Sequence, residues 1–342
     1  MKKVPPPGAG NDGLVATKLR LSLACWDYDR TRALMDGRVQ VDGIDLVYQP
    51  LEVEETFFRQ ARYREFDVSE MSFSSYCVSK SKGDPFVAIP VFPSRMFRHA
   101  NIWVSERSGI REPADLRGKR FGCPEYQLTA NVWIRGILDD EYGVAPESVT
   151  YVTGGEEEPG RAEKLALDLP PEIRVEPIGP TQTLAAMLAN GEIDAFHGPR
   201  TPSTATAPGV RRLFPDYVAA EKAYYGKTRI FPIMHVVVIR REVYERDHWI
   251  AMALFKAFVA AQRYAYADYA QTAALKSMLP WSAAEAEATR ALMGDAWWPY
   301  GVAANDAVLT TFTRYHHRQG LSPGQLTVRE LFAPETLEAF KI

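Results

Sequence analysis

Three cationic side chains fall within five residues, Arg95, Arg98 and His99 in FPSRMFRHANIWV. A guanidinium can grip a carboxylate through two parallel hydrogen bonds, and a histidine adds a group that titrates near neutral pH. The stretch leads into an extended run at 101–105. After a turn and a short strand, a second polar stretch (Glu125 to Thr129) opens a helix. Tyr126 and Thr129 stand at that helix start, where free N–H groups and the positive dipole end favour an anion. Other polar residues fall where strands should end: Tyr28 and Arg30 after the first, Glu70 and Ser72 after the third, His197 and Arg200 in HGPR, and His235 in RIFPIMHVVVIR. The combined chemistry is a site for a small anion, a carboxylate by the character of its cations. Each residue also has a structural reading. The arginines could be surface ion-pair partners, His99 and His235 satisfied core histidines, and Glu70 a helix cap.

The elements that must position these groups alternate. Strand patterns at 19–25, 43–48, 66–71 and 86–91 are separated by helices at 31–36, 53–63 and 74–82. This predicts a mainly parallel sheet between helices. Further on, the patterns predict a strand at 120–123, a helix at 128–142, a strand at 149–152 and a helix at 183–189 closed by Asn190-Gly191. A strand at 193–196 follows, then a strongly apolar strand at 231–240, a long helix at 248–269, and helices near 283–294 and 303–319. In open α/β sheets, ligands bind beyond the carboxyl ends of the strands. That rule collects the residues named above.

Composition narrows the function. The chain has 342 residues, 46% hydrophobic and 24% charged, with a formal net charge of −3. It is long enough for two compact units. The charge gives no reason to expect a nucleic-acid partner, and no apolar run is long enough to span a bilayer. The start, MKKVPPPGAG, reads as a disordered tail (1–13) on a cytoplasmic protein, because Pro5-Pro6-Pro7 stands where a leader's apolar segment would be. Cys25, Cys77 and Cys123 lack any CxxC spacing and read as buried free thiols. Glu156, Glu157 and Glu158 read as a solvated acidic turn. The adjacent His316 and His317 point different ways on a helix, which disfavours a shared metal. No GxGxxG, Walker A, GxSxG, HExxH or paired CxxC motif is present. Nucleotide cofactors, hydrolase triads and common zinc chemistry are therefore disfavoured. The expected partner is a small carboxylate, with no membrane; a homo-oligomer is left open.

Two sets of segments carry a resemblance. ADLRGKRFGCPEYQLTANVWIRGIL and the downstream MLANGEIDAF resemble the type II periplasmic-binding-protein fold, in which a ligand is clamped between two α/β lobes. FPSRMFRHANIWV, PEYQLTANVWIRGIL, VRRLFPDY and RIFPIMHVVVIRR resemble the 4,5-dihydroxyphthalate decarboxylase family, which is built on that fold. The resemblance implies a first lobe of 14–105 plus 232–342, with a second lobe of 106–231 inserted into it. It implies non-oxidative decarboxylation of a hydroxylated aromatic dicarboxylate, 4,5-dihydroxyphthalate giving protocatechuate, in aromatic catabolism. For that chemistry His235 is the expected acid with Glu70 as its partner, His99 the other acid candidate, and Arg95, Arg98 or Arg200 the grip on the retained carboxylate. No cofactor is required; the alternative is a divalent ion held by two histidines and Glu70. The rival from another class is a solute-binding protein for an aromatic carboxylate that does not turn it over.

Overall fold

The computed structural model of the protein describes residues 17–338. The tail expected at 1–13 lies outside the described residues. The chain starts with β1 (Leu19–Ala24), α1 (Arg32–Met35), β2 (Ile44–Gln49), α2 (Val53–Tyr63), β3 (Val68–Ser72), α3 (Phe73–Lys80) and β4 (Phe86–Ile89). It crosses to β5 (Ile102–Ser105), β6 (Arg120–Cys123), α4 (Thr129–Tyr142), β7 (Thr150–Thr153), β8 (Arg174–Pro177), α5 (Leu184–Asn190), β9 (Ala195–His197), β10 (Val210–Arg212) and α6 (Tyr217–Thr228). It returns through β11 (His235–Arg240) to α7 (Arg241–Arg246), α8 (Trp249–Ala270), α9 (Ser282–Met293), α10 (Asp306–Arg318) and α11 (Val328–Leu331).

Two sheets result. The first has strand order β2-β1-β3-β11-β4 and the second β10-β5-β9-β6-β7-β8. The β-α-β alternation makes β2, β1 and β3 parallel. β11 departs from that pattern, running antiparallel between β3 and β4, because it enters from the other lobe rather than through a crossover helix. Ile102–Ser105, expected with the first lobe, is instead a strand of the second sheet, paired antiparallel with β9 and β10. The strand expected over 231–240 begins only at His235. Pro232 has no N–H for a ladder. Residues 231–234 form the return crossing, which lies alongside the outward one: Arg95 bridges Ile233, Met96 N–H donates to the Pro232 carbonyl, and Met234 N–H donates to Ser94.

The largest buried cluster joins both lobes. Phe73 stacks on Phe312 at 4.6 Å, and Trp133 meets Phe312 and Tyr315 at 5.4 and 5.6 Å. The Trp133 indole donates to the Ile233 carbonyl at 2.8 Å, so α4 holds the return crossing in place. Separate apolar clusters fill the far face of each sheet.

Candidate active site

The antiparallel pairing of β11 on β3 sets the centre of the site. His235 stands opposite Ser72, and Val237 opposite Glu70. With side chains alternating along a strand, Glu70, Ser72 and His235 share one face, and Glu70 meets His235 across a diagonal. His235 Nδ1 lies 2.5 Å from Glu70 Oε1. Glu70 is fully buried, whereas the His235 side chain keeps 16% exposure. The carboxylate is therefore the backing and the imidazole the face. Tyr28 donates its hydroxyl to the same oxygen, Oε1, at 2.7 Å, and the Trp26 amide donates to Oε2 at 3.2 Å. The Cys25 thiol lies 3.6 Å from Oε2. Burial alone would raise the Glu70 carboxyl, but His235, the Tyr28 hydroxyl and the Trp26 amide outweigh it and hold Glu70 below the usual carboxylate range. Burial and the Glu70 charge push the Tyr28 hydroxyl far up, so it remains a donor. With Nδ1 engaged by a carboxylate, the imidazole is oriented and its Nε2 is left for a reacting group.

His235 faces a cavity of about 370 Å³ between the lobes. Trp26, Tyr28, Ser72 and Ser94 reach it from the first sheet and the outward crossing. Leu128, Thr129 and Ala130 reach it from the start of α4, and Pro199 and Arg200 from the loop after β9. Ser72 and Thr129 hydroxyls meet across the floor at 2.8 Å. The first turn of α4 has neither a side-chain cap nor an acidic residue, so its positive end is available to an anion. Arg98 also lines the cavity, buried, with its guanidinium on the Met234 sulfur and 3.4 Å from the Pro199 carbonyl. Burial lowers it to about 10, so it is a cation at neutral pH. Arg200 is exposed and has no ion pair or hydrogen bond among the described residues.

The structure thus brings together Tyr28, Glu70, Ser72, Arg98, Thr129, Arg200 and His235. It places the other candidates elsewhere, each for a visible reason. Arg95 points away and ties the outward crossing to the C-terminal segment, donating to the Phe231 and Pro299 carbonyls at 3.0 and 2.8 Å and to Asn305. His99 is enclosed by Phe214, Tyr224 and Tyr142, and burial lowers it to about 4. His197 is buried against Phe121, with Nδ1 3.0 Å from Asn131 Oδ1. Tyr126 donates to the Gln319 carbonyl inside the core, under the Arg135 guanidinium. Arg30 faces a different cavity. Among the described residues, no group of three or more His, Cys, Asp or Glu side chains is arranged to hold a metal ion; two histidines and Glu70 do not meet. The acidic turn also differs from expectation. Glu156 is buried, and burial, helped by Glu157, pushes it up to about 7.

A curated 4,5-dihydroxyphthalate decarboxylase from Comamonas testosteroni is 44% identical over 329 residues, covering 95% of this chain and all of that protein. The chain belongs to the 4,5-dihydroxyphthalate decarboxylase family. A second family member, from Pseudomonas putida, is 47% identical over 215 residues, covering 62% of this chain and 83% of its own. No family model matches the chain. Among solved structures, the periplasmic aliphatic sulphonate binding protein of Escherichia coli superposes with a TM-score of 0.50 at 14% identity, over 93% of this chain and 99% of that one. At that identity the likeness establishes the two-lobed binding-protein fold alone. On this decarboxylase-family chain, sequence reasoning missed the acidic end of α2. Glu52, Glu54 and Phe57 all line the cavity, and Phe57 sets its ring edge-on to His235 at 4.8 Å. Three acids in four residues at a helix start were the available signal, although the helix dipole favours such a cluster in any case.

Proposed function

We infer that this protein is a carboxy-lyase acting on 4,5-dihydroxyphthalate and releasing protocatechuate and carbon dioxide. The observation that carries the reading is its likeness to a curated decarboxylase of that name along that enzyme's whole length. What the geometry adds is an acid–base pair facing a cleft that carries two arginines and an uncapped helix start. Each carboxylate of the substrate lies para to a hydroxyl. Loss of the phenol proton puts electron density on the ring carbon bearing the carboxylate. His235, through Nε2, delivers a proton to that carbon, giving a dienone. The C–CO₂ bond then breaks, its electrons restore the aromatic ring, and carbon dioxide leaves. The delivered proton stays as the new ring C–H, and the phenolate left when carbon dioxide departs regains from solvent the proton it first gave up, so the sum is one carboxylate and one proton giving arene and carbon dioxide. The ring is its own electron sink and the step needs no cofactor. Glu70 offsets the charge on the imidazolium. Arg98, Arg200 and the start of α4 hold the retained carboxylate, and Tyr28, Ser72 and Thr129 complete the walls. The reaction is a step in breaking down phthalates, and three buried free cysteines suit a reducing cytoplasm.

Incubation with 4,5-dihydroxyphthalate tests the reading. Stoichiometric carbon dioxide and the ultraviolet spectrum of protocatechuate are expected. Binding without product would leave a solute-binding protein instead. His235→Ala should bind substrate with near-normal affinity yet lose about 10²-fold or more in kcat, the scale of lost acid–base catalysis. Unchanged turnover would remove His235 from the reaction.

A further inference from the structure

A second cavity, of about 290 Å³, opens on the other side of the loop after β1. Tyr28 belongs to the reaction cleft, and Arg30, two residues on, to this second space. The Arg30 guanidinium lies between the rings of Tyr28 and Trp298, 4.0 and 4.2 Å from their centroids. Its Nε donates to the Pro93 carbonyl and its Nη1 to Asp29. No described residue takes Nη2, and the side chain is only 15% exposed. A guanidinium fixed by two rings has already given up its rotamer freedom, so a further bond to it costs little ordering. Asp29 offsets part of its charge, but that carboxylate also takes the Tyr269 hydroxyl and faces solvent at 41% exposure. Anion binding here would rest on directed donors rather than on net charge.

The remaining walls are ring faces. Phe231 presents one, stacked on Phe97 at 4.7 Å, and Trp297 another, edge-on to Tyr266 at 4.8 Å. The Tyr266 oxygen accepts the Trp298 amide at 3.0 Å, which leaves its own proton to donate. Met293, the last residue of α9, also lines the cavity. Two donors and several flat apolar surfaces lining one cavity match one shape, a planar ring carrying a carboxylate. The volume sits near the lower end of small-molecule sites, about 300 Å³.

We propose that this cavity is a second binding site, separate from the reaction cleft, for a planar aromatic carboxylate of the benzoate class. Arg30 bears on the Tyr28 ring, and the Tyr28 hydroxyl holds Glu70. A ligand drawing on Arg30 therefore acts on the Glu70–His235 pair from behind. The site stands on the cavity alone; its effect on turnover rests on the decarboxylase reading.

Calorimetric titration of the full chain with benzoate, beside the Met293→Trp variant, tests the proposal. Met293 lines this cavity and not the cleft, and the added indole fills the space. The expected result is a benzoate-binding component in the wild type that weakens at least ten-fold in the variant, while turnover without benzoate is unchanged. In crystals of the wild type soaked with 4-iodobenzoate, iodine is expected against Trp297. Superimposable titrations, or iodine in the cleft alone, would overturn the proposal, and the soak decides by itself should the variant not fold. On the decarboxylase reading, benzoate inhibits the wild type with a mixed pattern and the variant competitively. A chain that binds benzoate at Trp297 but makes no protocatechuate keeps the second site and loses the assigned reaction.

Discussion

At the scale of single residues, the two cleft arginines divide by burial. Arg98 is packed and already engaged, whereas Arg200 is exposed and has no hydrogen bond or ion pair among the described residues, feeling Glu54 and Glu156 only at longer range. A charge-assisted hydrogen bond is worth about 1.5–3 kcal/mol, so Arg200→Gln should raise KM by about ten-fold or more with kcat within a few-fold. An unchanged KM would assign the carboxylate grip to Arg98 and α4. The sequence made the strand-end residues legible because a parallel sheet places them on one edge, and Tyr28, Ser72 and Thr129 followed from that rule. It could not separate Arg98 from Arg95, three residues away, because the crossing between them turns one inward to Asn305. Nor could it show that His99 lies among aromatic rings. That burial has a measurable sign. His99 is lowered to about 4 in the fold against about 6.5 unfolded. Above pH 6.5 both states are neutral there. As pH falls from about 6.5 to about 4, the unfolded chain takes a proton that the folded one refuses, and stability is lost. Glu156 and Glu163, both raised to about 7, act in the opposite direction over part of that range, so the histidine is best isolated by difference. The gap in Tm between His99→Phe and wild type should shift in favour of the variant as pH is lowered from 6.5 to 4. A pH-independent gap would show that the imidazole ionises equally in both states.

At the scale of elements, α4 carries the most constraint. Its start forms a cavity wall, its middle holds the return crossing through Trp133, and its flank receives α10. Gly136 lies in the helix interior, where alanine would ordinarily gain up to about 1 kcal/mol. Here a Cβ would stand 2.0 Å from the Tyr315 ring. Gly136→Ala should therefore destabilise, by about 1–3 kcal/mol of overpacking, and lower Tm instead of raising it. A raised Tm would mean that α10 can withdraw from α4 at little cost. Regular elements were the most legible part of the chain. The helix at 53–63 and the strand at 120–123 appear with the bounds their periodicity suggests, and Asn190-Gly191 ends α5 with Gly191 at φ 75°. What periodicity missed was short or set by partners far away. β8 has no buried residue and β10 only three residues in all, so neither shows an apolar alternation. α6 has buried only Tyr224 and Tyr225, so it has no clear apolar stripe. The direction of β11 depends on its entry from the other lobe, which no local signal encodes.

At the scale of the whole molecule, the lobes are held together by charge as well as by the shared core. Glu54, on α2 of the first lobe, pairs with Arg161 at 3.0 Å and Lys164 at 3.2 Å from the loop after β7. Both cations also reach Glu125, which is buried in the second lobe. Burial would raise the Glu54 carboxyl, but Lys164 and Arg161 outweigh it and hold it low. Because both cations keep Glu125 as a partner, Glu54→Gln removes the interlobe attraction while leaving each of them in an ion pair. The pair is partly exposed, with 33% of the Glu54 side chain accessible, so about 1 kcal/mol is at stake. That is enough to shift an open–closed balance about five-fold. Glu54 also lines the cleft, so loosening should appear where substrate binds. The expectation is a several-fold rise in KM with kcat nearly unchanged, and a larger radius of gyration for the substrate-free variant in solution scattering. Salt should discriminate further. Raising ionic strength screens the latch in the wild type but has no latch to screen in Glu54→Gln, so KM should climb less steeply with salt in the variant. Equal slopes with an unchanged radius of gyration would mean that the shared apolar core around Trp133 and Phe312 alone fixes the lobes, and that the cleft is held closed whether or not substrate is present.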